Sequence, residues 1–151
     1  MKIALYQPDI PQNCGAMIRL CACMGVELEI IEPCGFPWNE KKIRQSAMDY
    51  YDKVIINRHS SWDKFYGQYR DNNRIILMTT KSASPYTKFK FEQGDILLAG
   101  RESSGVPDDV HNMVDKSIYI PMKNGLRSLN IVNATAMILG EATRQTESIN
   151  I

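Results

Sequence analysis

Short apolar segments alternate along the chain with longer segments in which apolar residues recur every three or four positions. The short segments are rich in Ile, Leu and Val and are bounded by polar residues, Gly or Pro, a pattern typical of buried strands. It predicts strands at Lys2–Tyr6, Glu27–Ile31, Lys53–Ile56, Arg74–Thr79, Asp95–Ala99 and Lys116–Ile120. The intervals between these strands are too long for hairpins.

The longer segments predict helices. Gln12–Gly25 has apolar residues at helical spacing, with Asn13 placed to cap its start and Gly25 to end it. The other predicted helices are Asn39–Met48, Ser60–Tyr69, Pro107–Val114 and Asn130–Gln145. Because strands alternate with helices, we predict an α/β fold with a mainly parallel sheet and helices on both of its faces.

The composition is that of one soluble, packed domain. The chain has 151 residues, enough for one sizeable core, so we expect a single domain over residues 1–151. Its 44% hydrophobic and 23% charged residues exclude a disordered chain and a disulfide miniprotein. We find neither a signal-peptide core nor a run of about 20 apolar residues, and we therefore expect a cytoplasmic protein without a membrane partner.

The charge balance leaves little overall electrostatic field. The formal net charge is +1, so we expect no general attraction to DNA, and any RNA site must be a local patch. Basic residues outnumber acidic ones between Lys41 and Arg74, and Lys41, Lys42 and Arg44 are our candidates for RNA binding. Four aromatic residues in the same region could stack on bases, but their helical spacing favours a stripe that faces the core: Trp62, Phe65, Tyr66 and Tyr69.

The four cysteines lack the spacing of a metal site. No CxxC pair occurs among Cys14, Cys21, Cys23 and Cys34, and both histidines are distant in sequence. We expect reduced, mostly buried thiols and no metal cofactor.

Ligands of open parallel sheets bind beyond the carboxyl ends of the strands, so the polar loops that follow strands are the first places to search for chemistry. Residues 7–15 form the first such loop and lead into the helix that carries Arg19. Gly15 lies one turn before Arg19, so the guanidinium could reach back over a spot kept clear of bulk. A solvated surface arginine is the alternative that spacing alone favours.

The second loop, AGRESSGVP at residues 99–107, brackets Glu102 with two glycines. Gly100 and Gly105 suggest close approach of the backbone to a ligand, although a glycine turn before a helix that starts at proline explains them equally well. The loop lacks the GxGxxG pattern, so we do not expect a nicotinamide-type site.

The third loop, residues 120–133, runs into the last predicted helix. Ser128 and Asn130 could point to one side of an extended chain, and Asn130 could cap the helix. Asn133 lies among apolar residues, which predicts either a polar site at a dry boundary or an ordinary hydrogen-bonded core network.

Three segments in order resemble the three motifs of the SpoU branch of the SPOUT methyltransferases: PQNCGAMIRLCACMG, LLAGRESSGVP and IPMKNGLRSLNIVNATAMILGEA. The chain length and the segment IIEPCGFPW, with Asp49 and Tyr50, resemble the subgroup that methylates the ribose 2′-oxygen of the tRNA wobble nucleotide. The resemblance implies a C-terminal trefoil knot, S-adenosylmethionine as cofactor and a homodimer with its catalytic site near the interface. It implies a cytidine or modified uridine in the anticodon loop of a leucine-type tRNA as substrate.

Carried over residue by residue, the resemblance implies a cofactor set and a catalytic set. The cofactor set is Met78, Thr79, Gly100, Ile120, Ser128 and Leu129. The catalytic set is Asn13, Arg19, Glu102, Ser128 and Asn130. Because arginine stays protonated, Arg19 is easier to explain as a cation that stabilises a developing alkoxide than as a base. For Glu102 we consider pairing with Arg19, balance of the cationic sulfonium, or a charge near the helix that follows Pro107. The chain departs from the family pattern at Arg101, Val132 and Gly140.

Other functions compatible with the sequence are 2′-O-methylation at another tRNA or rRNA site, RNA binding without catalysis, and a doubly wound signalling or nucleotide-binding domain. The joint presence of the catalytic set favours the enzyme. The last helix, Asn130–Gln145, is apolar nearly all the way round, which predicts a homodimer in which a second subunit covers it. A helix buried wholly within one chain is the alternative.

Overall fold

A computed structural model describes residues 1–146, which contain a six-stranded sheet with helices on both faces. The strands are β1 (Lys2–Tyr6), β2 (Glu27–Ile31), β3 (Ile56–His59), β4 (Ile75–Met78), β5 (Ile96–Ala99) and β6 (Lys116–Ile118). The α-helices are α1 (Pro11–Met24), α2 (Glu40–Ala47), α3 (Trp62–Tyr69), α4 (Asp108–Met113) and α5 (Ile131–Thr146), with 3-10 helices at Met48–Lys53 and Tyr86–Lys88. The strand order is β3-β2-β1-β5-β4-β6 and every pairing is parallel, which confirms the predicted α/β fold.

Each face of the sheet has its own hydrophobic layer, because alternate strand residues point to opposite faces. In β1, Ile3 and Leu5 pack with the layer that includes α1, α2 and α5, whereas Ala4 and Tyr6 pack with the layer that includes α3 and α4. In the second layer Phe65 is fully buried, and burial of such a side chain contributes about 2 to 3 kcal/mol. Both faces are therefore dry, as the apolar strands predicted.

Helix α1 begins one residue earlier than predicted, and the prediction that Asn13 caps it is wrong. Pro11 occupies the first turn, where its missing N–H costs nothing, and no side chain caps the helix. Gly25 ends α1 in the left-handed region at φ 65°, as predicted. Gly15 does not leave an open spot for Arg19: a Cβ there would lie 2.2 Å from the Cβ of Ser46, so this glycine allows α1 and α2 to pack closely.

Strand β3 lies three residues beyond its predicted position at Lys53–Ile56. The 3-10 helix Met48–Lys53 takes up the start of that segment, and Ile55 is exposed. The true strand has the sequence INRH, whose polar residues concealed it. Asn57 and His59 face buried Glu29 of β2, so hydrogen bonding replaces the apolar pattern here.

Helix α5 is buried on one side only, so the alternative of a helix buried wholly within one chain is wrong, and its cover by a second subunit stays a prediction. Ile138 and Leu139 pack against the sheet layer, while Asn133, Met137 and Gly140 are exposed. Because Asn133 is exposed, it does not need the buried partner that its neighbours suggested. Residues 147–151 lie outside the described residues, and the trefoil knot stays a prediction.

The aromatic stripe on α3 faces the core, as its spacing favoured. Trp62, Phe65 and Tyr69 are buried, and Tyr66 is partly buried against them. Of the cysteines, Cys14 and Cys21 are buried, Cys34 is partly buried and Cys23 is exposed. Burial raises the pKa of the Cys21 thiol to about 12 and that of the Cys34 thiol to about 11.

No helix among residues 1–146 has the length and apolarity to cross a membrane. The same residues contain no group of three His, Cys, Asp or Glu side chains arranged to hold a metal ion.

Candidate functional site

A cavity of about 570 Å³ lies beyond the carboxyl ends of the neighbouring strands β5, β4 and β6. Its size is within the range of about 300 to 1,000 Å³ that small-molecule sites occupy. Leu77, Ile118 and Ile138 give it an apolar floor, and the loops that follow the three strands form its walls. All six residues of the predicted cofactor set line this cavity: Met78, Thr79, Gly100, Ile120, Ser128 and Leu129.

The loop after β5 is folded tightly on itself. Arg101 and Gly105 exchange both backbone hydrogen bonds, at 2.9 and 2.8 Å, and Gly105 turns the chain at φ 69°. A Cβ on Gly100 would lie 2.7 Å from the carbonyl carbon of Gly105. Gly100 is therefore required by the fold of the cavity wall, and the approach of this backbone to a ligand stays a prediction.

Three side chains of the predicted catalytic set form one hydrogen-bonded relay on the cavity wall. Asn130 Nδ2 donates to Asn13 Oδ1 at 3.1 Å, and Asn13 Nδ2 donates to Glu102 Oε1 at 3.2 Å. These residues come from all three segments that resemble methyltransferase motifs. We call Asn130, Asn13 and Glu102 the relay.

Contacts at both ends of the relay fix which group donates and which accepts in each of its hydrogen bonds. Asn130 Oδ1 accepts from the backbone N–H of Val132 at 2.9 Å, which caps α5 as predicted and leaves its Nδ2 to donate. Each amide must therefore point its NH2 group toward Glu102. Glu102 accepts on both oxygens, the second from the backbone N–H of Asp9 at 2.8 Å, so it acts as a carboxylate acceptor and does not pair with Arg19 or serve α4.

Sequence reasoning missed Asp9, which lies in the loop after β1. Asp9 Oδ2 accepts from the Ser103 hydroxyl at 2.5 Å and from the Ser103 N–H at 3.1 Å, and Oδ1 accepts from Arg101 Nε at 3.2 Å. The Ser103 hydroxyl is the main reason that the pKa of Asp9 lies below its usual value. These partners are more than 90 residues away in sequence, so the only local signal was a carboxylate in a loop fixed by prolines.

Arg19 does not join the other catalytic residues. Its side chain is exposed on α1, where Nη1 lies 3.9 Å from Met48 Sδ and the guanidinium carbon lies 5.1 Å from the centre of the Tyr50 ring. It does not line the cavity of its own chain.

The three predicted RNA-binding residues lie on α2 and differ in their surroundings. Arg44 pairs with Glu40 at 2.9 Å and with Asp52 at 2.7 Å, and both bonds raise its pKa. Lys41 and Lys42 are exposed and have no ion-pair partner among residues 1–146. Among residues 1–146, Lys41 and Lys42 therefore keep their full positive charge on this surface, whereas two carboxylates neutralise the charge of Arg44.

Comparison with known proteins gives one family and close relatives. Residues 1–140 match the model of the SpoU rRNA Methylase family. The chain is 52% identical over 148 residues to a protein of Beijerinckia indica named tRNA (cytidine(34)-2'-O)-methyltransferase, and the match covers 97% of this chain and 92% of that protein.

Solved structures share the fold. One, described as giving structural insights into the 2-OH methylation of C/U34 on tRNA, is similar with a TM-score of 0.90 at 33% identity, covering 95% of this chain and 94% of that chain. A SpoU methyltransferase from Streptomyces viridochromogenes in complex with the cofactor AdoMet has a TM-score of 0.86 at 24% identity, covering 96% of this chain and 60% of that chain. The second likeness concerns the fold alone.

Proposed function

The chain belongs to the SpoU rRNA Methylase family, and we propose that it uses S-adenosylmethionine to methylate the ribose 2′-oxygen of the wobble nucleotide of a tRNA. The expected nucleotide is a cytidine or modified uridine in a leucine-type tRNA, and the enzyme would act in the cytoplasm. The observation that carries the proposal is the relay, which lies on the wall of a cavity that the whole predicted cofactor set lines. The names of relatives aligned over nearly the full chain support the substrate.

The cavity suits S-adenosylmethionine in size and chemistry. Its apolar floor can accept an adenine ring, and its polar rim offers the backbone groups of three strand-end loops. The carboxylate of Glu102 is compatible with the positive charge of a sulfonium. The residues that would hold the cofactor are Met78, Thr79, Gly100, Ile120, Ser128 and Leu129.

Bound S-adenosylmethionine supplies an electrophilic methyl group. The chain must hold the ribose hydroxyl in line with that methyl group. The oxygen–carbon bond then forms as the carbon–sulfur bond breaks, S-adenosylhomocysteine leaves, and the hydroxyl proton passes to water. The relay keeps a carboxylate and two amides in one arrangement beside the cavity, and the hydroxyl of Ser128 offers a hydrogen bond on the same wall. This preorganisation lowers the cost of orienting the ribose.

A homodimer explains why Arg19 lies outside the cavity of its own chain. We infer that Arg19 of a second copy reaches the site, where its cation stabilises the developing alkoxide. The exposed apolar residues near the cavity and on α5 are suitable for such a contact: Ile10, Leu126, Leu129 and Met137 are each more than 40% exposed. A second copy that packs on α5 would cover them.

Sedimentation tests the dimer. We expect a species of twice 17.2 kDa at micromolar concentration, and Met137→Glu should dissociate it because a charge would be buried at the contact. Ile138→Asp is not a suitable test, since Ile138 is buried within its own chain. A monomeric unsubstituted protein with full activity would contradict the dimer.

Mixed dimers test the origin of Arg19. Arg19→Ala and Asn13→Ala homodimers should both lose most turnover while keeping their melting temperatures. If Arg19 acts across the interface, a mixed dimer of the two variants contains one complete site and should recover about half of the activity. If Arg19 acts in its own chain, the mixed dimer should stay inactive.

The basic surface on α2 is our candidate for tRNA contact. Joint replacement of Lys41 and Lys42 by Ala should weaken tRNA binding and reduce the slope of log K against log salt by about one to two, since fewer counterions are released. Arg44→Ala should change the slope less, because Glu40 and Asp52 already compensate its charge. An unchanged slope in the double variant would place the tRNA elsewhere.

The direct test of the function is methyl transfer itself. The protein is incubated with methyl-labelled S-adenosylmethionine and total tRNA, and the labelled nucleotide is mapped. We expect one 2′-O-methylated nucleotide at the wobble position. A label at another tRNA position or in rRNA would overturn the substrate, and binding of RNA without transfer would identify a binding module.

A further inference from the structure

Asp9 holds three consecutive residues of the loop that carries Glu102. Its carboxylate accepts from Arg101 Nε at 3.2 Å on one side of Glu102 and from the N–H and hydroxyl of Ser103 on the other. Its backbone N–H donates to Glu102 Oε2 at 2.8 Å. One residue of the first loop thus fixes both the backbone around Glu102 and one of its two carboxylate oxygens.

The loop after β2 packs against the carboxylate of Asp9. Gly35 donates its N–H to the carbonyl of Pro8 at 2.9 Å, which brings it against Asp9. A Cβ on Gly35 would lie 2.7 Å from Asp9 Oδ1 and 3.1 Å from Asp9 Cα. The absence of a side chain at Gly35 therefore leaves the space that the Asp9 carboxylate occupies.

These contacts decide which way Glu102 points. A glutamate side chain has three rotatable bonds and would sample several directions at a cavity wall. With Oε2 held by the Asp9 N–H, Oε1 is directed to Asn13, and the relay is complete. The Ser103 hydroxyl and the Arg101 guanidinium stabilise the negative charge of Asp9.

We propose that Asp9 is a positioning residue for the methyl transfer reaction, which holds the Glu102 carboxylate in line with Asn13. It does not line the cavity, so it acts through Glu102 and not on the substrate. This inference rests on the proposed function of the relay. It also gives Arg101, a departure from the family pattern, a role as one of the donors that fix Asp9.

Two variants on different loops should have the same effect. Asp9→Ala removes the acceptor, and Gly35→Ala displaces it, so each should lower kcat about tenfold or more, because small misplacements of catalytic groups are costly. The KM for S-adenosylmethionine should change much less than kcat. Asp108→Ala is the matched control, since it removes an exposed carboxylate just after the same loop and should leave kcat unchanged.

Coupling to Glu102 separates positioning from a general structural role. In a Glu102→Ala background, Asp9→Ala should cause little further loss of kcat, because the residue that it positions is absent. The same tenfold loss in both backgrounds would overturn the proposal, as would an unchanged kcat for Asp9→Ala in the otherwise intact protein. Melting temperatures measured alongside identify variants that fail to fold.

A readout independent of activity tests the same geometry. The side-chain amide signals of Asn13 in NMR spectra should shift in Asp9→Ala and in Gly35→Ala but not in Asp108→Ala. Only the first two disturb the contacts of Asp9 with Arg101 and Ser103, which fix the backbone on either side of Glu102. Unshifted signals in all three variants would overturn the proposal. If the unsubstituted protein transfers no methyl group, the proposed function fails, and the Asn13 signals still decide whether Asp9 positions Glu102.

Discussion

Glu29 and Glu102 are both carboxylates that asparagine and other donors hold in place, yet they lie in opposite surroundings. Glu29 is in the middle of β2, fully buried, and binds Asn57 at 3.0 Å and His59 at 2.6 Å. Glu102 is in a loop at the carboxyl end of the sheet, partly exposed, and faces a cavity. The same chemical group serves two different purposes here.

The difference follows from what surrounds each carboxylate. The donors around Glu29 come from strands and from α3, and they are Lys2, Asn57, His59 and Tyr69. None of these four residues lines the cavity beyond β5, β4 and β6. The donors around Glu102 come from loops whose other side is the cavity wall. The burial of the Glu29 network is typical of a group that stabilises the fold, whereas our proposal assigns the relay to the reaction.

The largest expected effect is on folding, from Glu29→Ala. His59, Asn57 and Tyr69 would lose a buried acceptor, and such a loss typically costs about 3 to 5 kcal/mol. Urea denaturation should give a free energy of unfolding lower by about that amount, with an unchanged m-value. The folded fraction should keep its kcat. An unchanged free energy of unfolding, or a lower kcat in folded protein, would contradict the separation of the Glu29 network from the relay.

A double variant sharpens this result. Replacing Glu29 and His59 together by Leu leaves no unpaired charge between them, and the surrounding rings, such as that of Phe65 at 5.3 Å from His59, are apolar. Such replacements of buried pairs are often neutral or stabilising. The double variant should therefore be more stable than Glu29→Ala, whereas an equal loss would mean that the unpaired side chains of Asn57 and Tyr69 cost more than the unpaired His59.

The second effect concerns the cavity wall. Gly100→Ala places a Cβ 2.7 Å from the backbone of Gly105, which must shift, so affinity for S-adenosylmethionine should fall by about tenfold or more. Gly67→Ala on α3 is the control, because a Cβ there meets nothing within 4 Å. It should leave affinity unchanged and raise stability by about 0.5 to 1 kcal/mol. Calorimetry measures both affinities, and unchanged binding by folded Gly100→Ala would contradict the placement of the cofactor.

A smaller effect is expected from Tyr69→Phe. The pKa of the Tyr69 phenol is raised by burial and by its hydrogen bond to Glu29, and removing that bond should cost about 1 kcal/mol of stability. The kcat should not change, because Tyr69 belongs to the Glu29 network. A drop in kcat without a loss of stability would link the two carboxylates and contradict their separation.

The smallest effect is the pH dependence of Asp9. Its pKa is lower in the folded protein than in the unfolded chain, so its contribution to stability is present above the unfolded pKa and is lost as pH falls through the folded pKa. The stability difference between the unsubstituted protein and Asp9→Asn should therefore be larger at pH 7 than in acid below that pKa. Urea denaturation at both pH values measures it, and an equal difference would contradict an ionised, hydrogen-bonded Asp9.

Most of the fold followed from the pattern of apolar residues, because both faces of this sheet are dry. β1 and β2 were predicted at their true bounds, since their apolar runs end at prolines or charges. β3 was misplaced because its stability comes from polar contacts with Glu29, which no local pattern records. The apolar circumference of α5 predicted that one chain would not cover this helix, and the helix is buried on one side only, while the subunit expected to cover the other side stays a prediction.

The site was predictable only in part. Resemblance to methyltransferase motifs selected Asn13, Glu102 and Asn130, and the relay joins them. Asp9 and Gly35 could not be selected, because their role arises from contacts between loops that are far apart in sequence. The exposed position of Arg19 agrees with the solvated surface arginine that spacing alone favoured, whereas the motif resemblance placed it in the catalytic set.

The most direct test of the account is the single-turnover rate of methyl transfer by Asn13→Ala. Asn13 lies in the first turn of α1 without a capping role, and alanine is a better helix former, so the melting temperature should be kept or raised. With cofactor and tRNA bound, the rate of transfer should fall about ten- to hundredfold, because the relay is cut at its centre. A normal rate in this folded variant would contradict the claim that the relay serves the reaction.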